Sequence, residues 1–290
     1  MSAAGAGATA AGAGATARPG RGLLMNAAMA AAVTLLLAFL ALPLLSLLLR
    51  IAPGQVLARL GEPVVLEALR LSLLTSVIAT VIVIVLGIPT AYLLATRQFP
   101  GKRLVEVLID LPMVLPPTVA GFALLMAFGR MGLAGRSLAA LGITLPFTTA
   151  AVVIAQVFMA APFFIAPTRA GFAGVDPRLR DAAATLRASE AFTFFRVMLP
   201  LTVPSIVAGT AMSCARCLGE FGATITFAGN LQGTTQTMPL AVYVALQSDL
   251  DGAVALSVLL LLMSFGLLLG LRSAPAGWFW TRTSAARPRS

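Results

Sequence analysis

Long apolar stretches, each closed by a short polar or proline-bearing interval, recur along the whole chain. A helix rises about 1.5 Å per residue, so roughly 20 apolar residues cross the ~30 Å hydrocarbon layer of a bilayer. On that measure six spans are expected, at about residues 23–49, 69–95, 108–128, 148–168, 201–228 and 251–271. No series of alternating segments suggests a membrane β-barrel. The pattern predicts an all-α, polytopic membrane helical bundle with six transmembrane helices. The interval 234–247 is apolar and nearly uncharged but too short to cross, and reads as a short helix lying at the outer surface.

Three spans are interrupted. Pro112, Pro116 and Pro117 fall in the third, Pro162 and Pro167 in the fourth, and Pro204, Gly209, Gly219 and Gly222 in the fifth. Proline removes a backbone N–H and clashes with the preceding turn. In a membrane, such breaks are tolerated where the freed backbone groups face protein or a water-filled cavity. Bending for packing accounts for any single proline. Their clustering makes spans three to five the expected lining of a pathway.

Composition sharpens the class. A mean hydropathy of +0.97, with 59% apolar and 10% charged residues, excludes a soluble domain, whose charged share is about a quarter. The tract 1–22 is rich in Ala, Gly, Ser and Thr and reads as a disordered cytoplasmic tail, followed by a transmembrane domain over 23–271 and a second cytoplasmic tail over 272–290. The run that begins at Leu23 exceeds the 7–15 residues of a signal-peptide core and is expected to be retained.

The net charge of +10 includes only one lysine, Lys102, and the arginines are dispersed, which argues for topology and not for a nucleic-acid partner. A cytoplasmic N-terminus puts Arg97, Lys102, Arg103, Arg169, Arg178, Arg180, Arg187, Arg196 and the arginines of both tails on one side, leaving Arg50, Arg59, Arg70, Arg130 and Arg136 on the other. That is the positive-inside distribution, with both termini cytoplasmic. Histidine is absent, and Cys214 and Cys217 share one helical face as packing residues, so neither metal nor disulfide chemistry is expected.

The segment from Val175 to Pro200 carries the chemistry of an interface. Asp176-Pro177 has the form of a helix start, with a carboxylate cap and proline at the first helical position. Leu179, Ala182, Ala183 and Leu186 then recur at helical spacing as a shallow apolar stripe suited to docking in a groove. Phe192, Phe194 and Phe195 can anchor in a partner's pocket. On residue chemistry alone an amphipathic connector lying on lipid headgroups is the alternative.

Asp181-Ala182-Ala183, with Arg187 four residues on and Val197-Met198-Leu199-Pro200 at the end, resembles the EAA loop of ABC importer permeases. Asp181 stands where the family usually has glutamate, and Arg187 where it usually has glycine. If position 187 needs a left-handed backbone, arginine there costs roughly 1–2 kcal/mol. The resemblance implies a type I ABC importer permease of the MetI-like fold, with 170–200 as its coupling loop. It further implies a bacterial inner-membrane homodimer, a cytoplasmic ABC ATPase dimer that binds ATP and Mg, and an extracytoplasmic substrate-binding protein. Asp181, Ala182, Ala183, Arg187, Phe192, Phe194 and Phe195 would form the ATPase contact.

A narrower resemblance follows. Ala215-Arg-Cys-Leu-Gly-Glu-Phe-Gly-Ala-Thr-Ile-Thr-Phe-Ala-Gly-Asn230 and Thr235-Gln-Thr-Met-Pro-Leu-Ala-Val-Tyr243 are similar to molybdate-importer permeases. Permeases for sulfate or thiosulfate share the Gly-Glu-aromatic-Gly pattern but continue differently, and tungstate and iron permeases are more distant alternatives. The binding protein implied is then a molybdate-binding one. No P-loop is present: Lys102 is followed by Arg103 and has Thr96 where the first glycine should stand, so ATP hydrolysis is left to the partner and no cofactor to this chain.

Arg216 and Glu220 are opposite charges deep in a span, four residues apart, so they are expected to pair. The pair reads either as structural or as a gate, and Gly219 and Gly222 permit close helix approach or local unwinding. A tetrahedral dianion cannot shed its water in hydrocarbon, so the path must be wet and polar, with Thr118, Thr224 and Thr226 as candidate lining. An ion-coupled secondary transporter is the alternative from a different class; it calls for repeated halves and further intramembrane ionisable groups, which the chain does not display.

Overall fold

A computed structural model of the chain describes residues 19–273. The described part is helical throughout and divides after Arg50. The first unit contributes one helix, α1 (Pro19–Arg50), which begins a little before the expected span and carries Pro43 without breaking. Met25, Leu35, Phe39 and Leu49 are all exposed along it, as expected of a helix meant for lipid. The rest of the first tail and nearly all of the second lie outside the described residues.

The second unit opens with α2 (Pro53–Leu60), α3 (Pro63–Thr96), α4 (Lys102–Val114), α5 (Pro117–Phe128), α6 (Gly135–Ala140) and α7 (Thr149–Ala173). It continues with α8 (Pro177–Thr185), α9 (Glu190–Thr193), a π-helical turn (Phe194–Met198), α10 (Leu199–Leu218), α11 (Gly222–Phe227), α12 (Met238–Ser248) and α13 (Leu250–Ser273). Proline opens α2, α3, α5 and α8, where its missing N–H would have been unpaired anyway. Helix α7 is started instead by the Thr148 hydroxyl, which accepts the Ala151 N–H at 3.2 Å.

Helix α7 is the axis of this unit, packed between α3 and α10. It runs antiparallel to α10: the Gln156 amide donates to the Cys217 carbonyl, Gly209 faces Phe164, and Gly171 faces Ser205. Glycine is required at the last two contacts, because a Cβ would come within 2.9 Å of the Phe164 carbonyl at position 209 and within 2.4 Å of Ser205 at position 171. Val83, Ala91, Leu94, Phe164, Ile165, Phe172 and Met198 fill the core at one end of these three helices.

Five described helices are long and apolar enough to cross a membrane, or six if α4 and α5 form one broken span. The third span thus departs from the expected 108–128 segment: α4 and α5 meet at 120°. The cause is local. Leu115 and Pro116 each precede a proline and take extended backbone, with ψ of 134° and 132°. The fifth span breaks too, ending α10 at Leu218 and resuming at Gly222.

The segment expected as a short helix forms α12, which is anchored in the bundle at its first turns. Met238, Leu240 and Ala241 are buried, and α12 packs on α13 and α3. The backbone that leads into it is pinned to the bundle: the Met238 N–H donates to the buried Ser72 Oγ at 2.7 Å, the Thr149 hydroxyl to the exposed Thr234 carbonyl at 2.8 Å, and the Leu231 N–H to Thr235 Oγ1 at 2.8 Å. These bonds let a non-helical backbone sit between α3 and α7 with its polar groups paired.

Candidate functional site

Two constellations stand at different places along α10. The first is the loop that precedes it. Asp176 caps α8 by accepting the Arg178 N–H at 2.9 Å, with Pro177 at the first helical position. The helix ends in a Schellman motif, in which the Ala188 N–H bonds the Ala183 carbonyl at 3.0 Å and the Arg187 N–H bonds the Ala184 carbonyl at 2.9 Å. That motif needs a left-handed residue, and Arg187 supplies it with φ of 54°. An L-side chain in this region costs roughly 1–2 kcal/mol relative to a right-handed position, a cost glycine would avoid. Ser189 then caps α9, accepting the Phe192 N–H at 3.1 Å.

The two caps fold the chain back on itself and leave a groove of about 640 Å³ lined by Leu179, Ala182, Ala183, Leu186, Arg187, Ala188, Ser189, Phe192 and Val197. Leu186 is 82% exposed and Phe192 55%, large apolar groups left uncovered by the described residues. Phe195 is also exposed, as are Asp181 and Ala182, while Ala183 is buried.

Phe194 is the exception among the three phenylalanines expected as anchors. It turns inward, with its ring 4.8 Å from Tyr92, which in turn lies 5.4 Å from Phe172. The π turn inserts an extra residue, so the phase of the phenylalanine run shifts and Phe194 joins the core. Edge-on aromatic pairs of this kind contribute about 0.5–1.5 kcal/mol each beyond their buried area. Ion pairs Arg97–Glu190 and Arg169–Glu106, the latter at 2.9 Å, border the same end of the bundle. The aromatic contacts carry the attachment, since exposed ion pairs contribute at most about 1 kcal/mol.

The second constellation is the break between α10 and α11. Glu220 is buried with both carboxylate oxygens engaged: Oε1 accepts the Ala223 N–H at 2.7 Å, capping α11, and Oε2 pairs with Arg216 Nη1 at 2.6 Å. The Arg216 side chain is 22% exposed. It borders a cavity of about 650 Å³ whose other walls are Phe163, Pro204, Val207, Ala208, Ala211, Met212, Ala215 and Leu268. Gly219 is exposed at the break, and Phe221 packs on Tyr243 of α12 with ring centroids 5.2 Å apart.

Helices α5 and α11 touch almost backbone to backbone. A Cβ on Gly222 would lie 2.7 Å from Pro117 Cβ and 3.2 Å from the Thr118 nitrogen, and one on Gly121 would lie 2.6 Å from the Ala223 carbonyl. Thr226 abuts Gly121 and turns its hydroxyl back to the Gly222 carbonyl at 2.8 Å. Thr118 is exposed on the first turn of α5. Thr224 corrects the expectation of a pathway-lining threonine: it is fully buried, on a short helix whose Ala223 and Phe227 belong to the α5–α7–α11 core. The structure therefore gathers Thr118, Arg216, Gly219, Glu220, Gly222 and Thr226 around one break and leaves Thr224 behind it.

A buried polar seam beside the break escaped the sequence reading. Gln156 Nε2 donates to the Cys217 carbonyl at 3.1 Å and lies 3.5 Å from Ser76 Oγ, while the Cys217 thiol faces the Gln156 carbonyl at 3.9 Å. Thr80 and Ser213 are buried on the same helices, α3 and α10. The available signal was Gln156 itself, a lone amide in the otherwise apolar fourth span, which in a membrane demands a partner.

Residues 84–272, which include both constellations, match the family described as binding-protein-dependent transport system inner membrane component. The molybdenum transport system permease protein ModB of Mycobacterium tuberculosis (strain ATCC 25618 / H37Rv) is 44% identical over 235 residues, which are 80% of this chain and 88% of that protein. ModB of Escherichia coli (strain K12) is 43% identical over 183 residues, 63% of this chain and 80% of that protein. A chain in the crystal structure of a bacterial alginate ABC transporter in complex with alginate pentasaccharide-bound periplasmic protein shares the fold, with a TM-score of 0.71 and 16% identity over 87% of this chain and 93% of that one. The helical bundle thus has the fold of an ABC importer permease, and the chain belongs to the family of binding-protein-dependent transport system inner-membrane components.

Proposed function

We propose that this chain is the permease subunit of an ATP-driven molybdate importer, forming the translocation path with a second copy of itself. The observation that carries the reading is the 44% identity to a molybdenum transport permease over 80% of the chain. The family works with an ATPase and a binding protein. ATP and Mg then belong to a cytoplasmic ATPase dimer, and an extracytoplasmic molybdate-binding protein delivers the anion. Both termini and the 170–200 coupling loop face the cytoplasm, a reading supported by the basic bias of Arg97, Lys102, Arg169, Arg178, Arg180 and Arg187.

In this reading the α8–α9 groove receives the ATPase through Asp181, Ala182, Ala183, Arg187, Phe192 and Phe195. Phe194 transmits the movement, because its contacts with Tyr92 tie the loop to α3. Helix α10 is 20 residues long, about 30 Å, and carries a displacement from the loop to the break at Gly219. There Gly219, Glu220 and Gly222 form a gate whose two sides, α5 and α11, slide on glycine contacts. Arg216 and Thr118 present donors to a passing oxyanion, and Thr226 stands beside them. No tight site is needed, since a tightly held anion would leave slowly.

The test is ATP-driven uptake by the permease reconstituted with its ATPase and binding protein, with labelled molybdate, tungstate and sulfate in competition. Molybdate uptake abolished by Asp181→Arg is the expected result. Uptake of sulfate alone would replace the substrate, and uptake driven by an ion gradient without ATP would overturn the coupling.

A further inference from the structure

We propose that Arg187 is a specificity contact: its guanidinium pairs with a carboxylate on the rim of the ATPase cleft that receives the α8–α9 groove. This rests on the reading of that groove as the ATPase dock. The turn itself gives arginine no reason to be there. Both Schellman hydrogen bonds are made by backbone N–H groups, and the φ of 54° is one that glycine adopts more easily. The Arg187 side chain is exposed, and its guanidinium makes no ion pair or hydrogen bond among the described residues. An arginine held in a strained backbone without an internal partner is accounted for by an external one.

Charge on the groove's surroundings identifies that partner's chemistry. Asp176 is occupied in capping α8, and Glu190 is held by Arg97. Arg178, Arg180, Arg187 and Arg196 are exposed, against Asp181 as the one exposed carboxylate of the loop left without such a role. An apolar centre of Leu179, Leu186 and Phe192 with Arg187 on its wall, carried on a loop whose exposed charge is mainly basic, fits a partner surface with an apolar middle and acidic edge. A lipid surface fits less well. The apolar residues line a concave groove, not the convex face that an interfacial helix lays on a bilayer.

The full-length permease in nanodiscs, titrated with its purified ATPase at low and high salt, tests the assignment. Arg187→Gly relaxes the backbone and Arg187→Gln keeps the bulk; both are expected to weaken association about tenfold at low salt and to flatten its salt dependence, with Arg187→Lys retaining part of the affinity. Arg187→Glu should lose more, and an Asp or Glu to Arg change on the ATPase cleft rim should restore it. Unchanged or tighter binding by Arg187→Gly overturns the proposal. So does an effect of Arg187 that follows the anionic lipid content of the nanodisc in the absence of ATPase. Phe192→Asp separates the two levels: if it abolishes association while Arg187→Gly does not, the dock stands and the arginine contact falls, whereas if Phe192→Asp binds normally the dock itself fails.

Discussion

The loop before α10 and the break after it are built from opposite principles. At the loop, the apolar groups Leu186 and Phe192 stand open and an arginine sits in a left-handed turn without a side-chain partner among the described residues. At the break, Glu220 is fully buried and each of its oxygens has a protein partner. In the proposed reading the loop is completed by a partner from outside. The break holds its charge within the chain, and motion there must exchange an ion pair and a helix cap for other contacts. One helix joins them, so an external binding event at one end can act on an internally balanced device at the other.

The largest expected effect tests the internal pairing of the break. Glu220→Ala removes the cap on α11 and strands Arg216 among apolar neighbours; losing one member of a buried pair costs about 3–5 kcal/mol. A marked drop in the thermal unfolding midpoint of the purified subunit, together with lost uptake, is expected. A variant with normal stability would mean that the pair acts only in transport.

Next comes the joint between the two regions. Phe194→Ala opens a hole beside Tyr92 and Phe172 and should destabilise the subunit by about 2–3 kcal/mol, below the range for a fully buried phenylalanine. ATPase binding should persist while ATP hydrolysis uncouples from uptake. If binding is lost and coupling in the residual complexes is normal, Phe194 belongs with the anchors after all.

Gly121→Val sharpens the comparison at the α5–α11 contact, where a Cβ would already stand 2.6 Å from the Ala223 carbonyl. Overpacking here should cost about 1–3 kcal/mol and reduce uptake without touching ATPase affinity. Equal stability and uptake would show that the two helices are apart during most of the cycle.

The smallest effect lies away from both regions. Asp249 is held below the usual carboxylate range, first by the Gly252 N–H and then by Arg59, whose guanidinium lies 2.7 Å from its carboxylate. A carboxyl depressed in the folded state adds stability above its unfolded pKa of about 3.9 and loses it as pH falls through the lower folded value. Asp249→Asn should therefore make thermal stability fall less steeply as pH drops from about 4 toward the folded value. A steeper fall would contradict the assignment.

Local chemistry made much of this legible. The cap at Asp176-Pro177 and the Arg216–Glu220 pair follow from four-residue and nearest-neighbour rules that hold within a single helix. The left-handed backbone considered as a condition at position 187 is the one the structure shows, with Arg187 at φ of 54°. Phe194 was misread because a π turn changes the phase of a helix, and a sequence read at the α-helical period assigns it to the wrong face. Thr224 was misread because α11 packs into the α5–α7 core, a tertiary contact that the polarity of a single threonine does not reveal.

By itself, then, the amino-acid sequence determined that the chain crosses a membrane repeatedly, where its spans are interrupted, and where the helix of the α8 loop begins, because hydropathy, proline and capping act over a few residues. Only the tertiary structure decided how far α4 turns from α5, that α12 is drawn into the bundle, and that Gln156 meets Cys217. These depend on which distant backbone offers a donor, an acceptor or a glycine gap at the right place, and no local pattern encodes that.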